Sequence, residues 1–126
     1  MLLPAVSAQT EMIEVVRITE AMHNPFSDDL TGEDTALWEA DQVREALALI
    51  AELPPGERQR CFVPGWGIRA HSDKELLFEI AFCFHCQGAR LRGPGVPPEE
   101  QGIQSFDPES IPGRALLALF RTTVPS

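Results

Sequence analysis

Long apolar runs are missing from this sequence: nothing in it approaches the roughly 20 consecutive apolar residues that cross a bilayer, which argues against a membrane-spanning helix. The start, Met1-Leu2-Leu3-Pro4-Ala5-Val6-Ser7-Ala8, lacks both a basic n-region and a full apolar h-region. The chain is therefore expected to be unprocessed and cytoplasmic. Basic residues are scarce where acids are dense. Residues 1–52 hold eleven Asp and Glu against Arg17 and Arg44 alone, and residues 53–126 hold eight of each sign, so the whole formal charge of −9 lies in the first part. Such a surface repels phosphate backbones and anionic lipids, because nucleic-acid binding rests on Lys and Arg neutralising phosphates. Neither nucleic acid nor membrane is expected as a partner; a basic protein is.

Catalytic signatures are missing too. There is no P-loop, no G-x-G-x-x-G and no H-E-x-x-H, and His23, His71 and His85 are too scattered to set a base beside a serine or cysteine nucleophile. A Cys83 nucleophile with His71 as its base is disfavoured, since an apolar strand raises a thiol's pKa. No enzyme is expected.

What is present fits one globular domain spanning 1–126, with 44% hydrophobic and 23% charged residues. From Glu11 to Ala21 the β-branched run Met12-Ile13-Glu14-Val15-Val16-Arg17-Ile18-Thr19 predicts a strand. His23 to Asp29 is rich in turn formers. A helix is then expected over Gly32–Leu53, opened by Thr31 and Asp34 as a capping box and stopped by Pro54-Pro55-Gly56. Its stripe would be Ala36, Ala40, Val43, Leu47 and Ile50, which leaves Trp38 among the acids Asp34, Asp41, Glu45 and Glu52 on the other side.

Arg60–His71 and Glu75–Cys86 read as the two strands of an antiparallel hairpin, with a bulge near Pro64-Gly65. Leu76 to Phe84 is apolar on both faces, as a central strand would be. Residues 88–102 read as an exposed Gly- and Pro-rich loop. A short extended piece follows, and then a Leu-rich helix capped by Asp107 or Ser110. The expected fold is α+β in the order β-α-β-β-β-α, an antiparallel sheet with helices packed on it.

Two sets of side chains could carry function. Asp34, Trp38, Asp41, Glu45 and Trp66 would form a partner-binding surface, because interfaces concentrate energy in aromatic anchors while charged rims steer association. Alternatively, Trp38, Leu49 and Leu53 form a second apolar strip beneath the last helix. Cys61, His71, Cys83 and Cys86 could supply a tetrahedral zinc set, but Cys61 has no C-x-x-C mate and Cys83 and Cys86 alternate across a strand. Buried thiols without a cofactor are the simpler expectation, and a disulfide is expected least in a cytoplasmic protein.

Cys61-Phe62-Val63-Pro64-Gly65-Trp66-Gly67, Cys83-Phe84-His85-Cys86 and the closing Leu-rich helix together resemble a group of short, largely uncharacterised bacterial proteins. These share a Cys-x-x-Pro-Gly-x-Gly segment and a Cys-Phe-x-Cys strand end. The likeness covers roughly residues 60–121. Proteins of this kind resemble the immunity proteins of bacterial toxin systems, and that resemblance implies an inhibitor that occludes a basic toxin or nucleic-acid-acting enzyme. A small zinc-binding structural or regulatory domain is the alternative.

Overall fold

The computed structural model describes residues 1–18, 32–57 and 64–123, with side chains from residue 36 onward in the second stretch. Among these residues are six strands, β1 (Met12–Ile18), β2 (Gly32–Glu39), β3 (Trp66–His71), β4 (Leu76–Cys83), β5 (Gly88–Arg92) and β6 (Gly102–Ser105). Two α-helices accompany them, α1 (Asp41–Glu52) and α2 (Ile111–Thr123). The strands make one sheet in the order β2-β1-β3-β4-β5-β6, every neighbour antiparallel. The α+β class and the helix-on-antiparallel-sheet arrangement are as the sequence predicts.

The first difference lies at Gly32–Glu39, expected as helix and found as strand. Alternation decides it. Trp38 is wholly buried whereas Leu37 is 55% exposed, a period of 2 that no helix provides. Ala40 adopts φ +49, and the sharp joint it makes lets α1 begin at Asp41. Val43, Ala46 and Ile50 are the residues that α1 buries, at spacings of 3 and 4. The proposed cap at Thr31 and the turn at 23–29 lie outside the described residues.

The hairpin of β3 and β4 is observed, with Trp66 opposite Phe82 and Ile68 opposite Ile80. The register of its paired residues shifts between Ala70 and His71. At the other end the Gly65 N–H donates at 3.1 Å to the carbonyl of Phe82, the residue that Trp66 opposes, while the Gly65 carbonyl accepts from the Ile18 N–H at 3.0 Å. Gly65 is thus one residue out of register with β4, the bulge expected near Pro64-Gly65. Residues 60–63 of the expected first strand lie outside the described residues. β4 is central as expected, and Leu77 to Cys83 are all buried.

Part of the expected loop at 88–102 is also strand. Gly88, Ala89 and Leu91 of β5 are buried, and only the stretch from Gly93 to Gln101 connects it to β6. Gly93 holds φ +139, and a Cβ there would come within 2.6 Å of the Phe78 Cα, so the close approach of this connection to β4 requires glycine.

Ser110 caps α2: its Oγ accepts from the Gly113 N–H at 3.1 Å and its carbonyl from the Arg114 N–H at 2.9 Å. The amino group of Met1 donates to the Leu53 carbonyl at the end of α1, and burial pushes its pKa below the ordinary value. Leu2 and Gln104 exchange two hydrogen bonds of 2.9 Å, tying this segment to β6.

One face of the sheet carries the helices. Ile13, Val15, Trp38, Ile68, Phe78, Ile80 and Phe82 meet Val43, Ile50, Leu116 and Phe120 in a continuous core. Burying each such large side chain contributes about 1.5 to 3 kcal/mol. Phe120 is the hub, stacked on Trp38 at 5.5 Å and on Trp66 at 5.3 Å between ring centroids.

Candidate functional site

The expected partner-binding set separates in three dimensions. Trp38 has no exposed surface, and its Nε1 donates to Thr123 Oγ1 at 2.9 Å. It therefore belongs to the core beneath α2 and offers no ring to a partner. Asp34 lies on β2 in register with Arg17 of β1, off the helix on which the acids were expected to cluster. Asp41 and Glu45 are exposed on α1, and Trp66 is half-buried at the start of β3.

Asp41, Glu45 and Glu52 fall within about 40° of one another around α1, taking about 100° per residue. Val43, Ala46 and Ile50 lie on the opposite side, at roughly 140–200° on the same scale. The buried stripe thus aims the acidic strip at solvent. Exposed Glu39 extends it at the end of β2. Arg44 is the one base on α1, and its guanidinium pairs with the Asp41 carboxylate.

The other face of the sheet also carries charge, but in compensated form. Glu14, Arg69, Glu79 and Arg92 stand in register on β1, β3, β4 and β5. Arg69 lies 3.3 Å from Glu14 and 3.6 Å from Glu79, and Arg92 lies 3.8 Å from Glu79. His71 Nε2 stands 3.8 Å from Glu14 at the same end of β1. Alternating signs on adjacent strands are the arrangement in which cross-strand charges stabilise a sheet.

Register separates the cysteine and histidine set as well. His71 pairs with Leu76 at one end of β4, and Cys83 closes the other end, seven residues and roughly 23 Å away at the usual strand rise. His71 can neither share a metal with Cys83 nor act as its base. Cys83 is a free, buried thiol whose Sγ accepts from the Cys86 N–H at 3.2 Å. Cys86 is buried and disulfide-bonded, against the expectation of free thiols, so its sulfur is not a thiolate ligand. Cys61 lies outside the described residues. Among the described residues, no group of three or more His, Cys, Asp or Glu side chains converges to hold a metal.

A feature the sequence reading missed lies beside α2. Two adjoining surface hollows, of about 480 and about 300 Å³, share Phe84, Leu117 and Arg121. Pro108, Glu109 and Arg114 line the larger, and Gly65, Trp66 and His85 the smaller. Trp66 thus does reach a concave surface, though on a different part of the molecule from the acids of α1. The available signal was Leu117, an apolar residue on the flank of α2 next to its buried stripe of Gly113, Leu116 and Phe120.

Among the described residues, no helix is long and apolar enough to cross a membrane. Comparisons of the chain with protein-family models, with curated proteins and with solved structures find no match.

Proposed function

We propose that the protein acts by binding rather than catalysis, as an immunity-type inhibitor that occludes a basic toxin or nucleic-acid-acting enzyme. The acidic strip of α1 carries this reading. Asp41, Glu45 and Glu52 point away from the core, and Arg44 offsets only part of their charge. A surface of one sign raises the association rate of a partner of the other sign and sets its orientation, while contributing little to folding.

The test is association kinetics with the product of the adjacent gene, co-expressed and purified with this chain. Asp41→Lys combined with Glu45→Lys is expected to slow association by about tenfold or more at low ionic strength, with the gap closing as salt screens the charges. Because Asp41 stands at the positive end of the α1 dipole, the double reversal should also lower stability, by about 1 kcal/mol, too little to unfold the protein. A rate indifferent to the double reversal removes α1 as the binding surface.

A further inference from the structure

The larger hollow beside α2 is walled by Arg114, Leu117, Ala118, Arg121 and Thr122, which recur at i, i+3, i+4, i+7 and i+8 and so form one continuous helical face. From Arg114 to Thr122 that face runs about 12 Å along the helix axis. A strand advances about 3.3 Å per residue, so the groove accepts three or four extended residues. Phe84 forms the floor common to both hollows, with Leu117 on the helix side and Trp66 at the far end. Trp66 is held flat against Phe120, at an interplanar angle of 7°, and is therefore a preformed wall.

The charges lining the groove differ in kind. Arg114 is engaged by Glu109 at 3.1 Å. Arg121 lines both hollows, is exposed, and makes no ion pair or side-chain hydrogen bond with any other described residue. His85 shares the smaller hollow with it. An apolar trough with a guanidinium at its middle is complementary to an apolar side chain next to a carboxylate, the pairing that arginine serves best.

We infer that this groove docks an extended, acidic segment of a partner protein, with an apolar side chain over Phe84 and Leu117 and the neighbouring carboxylate on Arg121. Its location and sign differ from those of the acidic strip on α1, and the inference holds whether or not that strip binds a basic protein. Glu109 at the opposite end of the larger hollow already occupies Arg114, which leaves Arg121 as the guanidinium for the segment's carboxylate.

The experiment titrates the isotope-labelled, full-length protein with acetyl-Ala-Phe-Glu-Ala-amide and follows backbone amide and indole shifts. Saturable shifts at Phe84, His85, Leu117, Arg121 and the Trp66 indole are expected, with a Kd on the order of 1 mM for so short a probe. The same peptide with Gln in place of Glu, and the Arg121→Glu protein with the original peptide, should each bind about tenfold more weakly. Arg121 is exposed on α2, so this variant should keep its fold, and Glu99→Gln, at an exposed position outside both surfaces, should leave peptide binding unchanged. Absence of shifts, equal binding of the Gln peptide, or binding that survives Arg121→Glu overturns the inference. Concentration-dependent shifts at the same residues without peptide would assign the groove to a second copy of the chain and overturn it equally.

Discussion

Two regions of the molecule use charge differently. On the sheet face away from the helices, Glu14, Arg69, Glu79 and Arg92 alternate in sign across four adjacent strands, with Glu79 almost wholly buried and the arginines about a quarter exposed. On α1 the acids stand in water with a single arginine among them. Charge that is desolvated must be matched where it lies, because removing an ion from water is costly unless a partner is close. Exposed charge carries no such requirement and can remain one-signed. The buried row therefore serves the fold, and the exposed strip is free to serve recognition.

Trp38 sets the upper end of the scale on which this comparison can be tested. Its ring fills the space between β2 and Phe120, so Trp38→Ala should cost about 3 to 5 kcal/mol of stability in urea unfolding, through lost burial and an unfilled cavity. A loss under about 1 kcal/mol would place the ring at the surface instead. Next comes Glu79→Gln, which keeps the shape and removes the charge between two arginines. A fully buried pair would lose about 3 to 5 kcal/mol on such a change. Because Arg69 and Arg92 keep some contact with water, the expected loss here is about 1 to 3 kcal/mol. A change within about 0.5 kcal/mol would show that the row is no different from surface charge and would break the comparison.

The parts legible in the sequence are those whose signal is local. Ser110 followed by Pro112 and Leu116 announces α2, and the two-sided apolarity of Leu77 to Cys83 announces a central strand. β2 was hidden because two periods coincide there. Ala36, Val43 and Ile50 fit a helical stripe, yet Ala36 and Trp38 also alternate with Leu37 and Glu39, and the joint is an alanine at φ +49 with neither Gly nor Pro to mark it. β5 was hidden by the Gly- and Pro-rich stretch that follows it. Of the groove beside α2 only Leu117, on the flank of the helix, left a sign in the sequence, since Trp66, Phe84 and Arg121 come from separate parts of the chain and meet only through the sheet register and the packing of Phe120.

The smallest expected effect is the most discriminating for the acidic strip. Arg44 and Asp41 form an ion pair at i, i+3 whose side chains are 78% and 90% exposed. Holding two solvated side chains together gains little Coulomb energy at high dielectric and costs side-chain entropy, so such pairs contribute about 0 to 0.5 kcal/mol. Arg44→Ala should therefore leave the unfolding midpoint nearly unchanged at both low and high salt. It also removes the one base from the strip, so association with a basic partner should become faster at low ionic strength, opposite in sign to the slowing expected for Asp41→Lys with Glu45→Lys. The two substitutions are then told apart by the sign of the rate change, whereas small losses of stability cannot speed association. A destabilisation of about 1 kcal/mol or more by Arg44→Ala would mean that α1 depends on this pair for its fold, and the division between charge that holds the structure and charge left for recognition would fail at the helix where it matters.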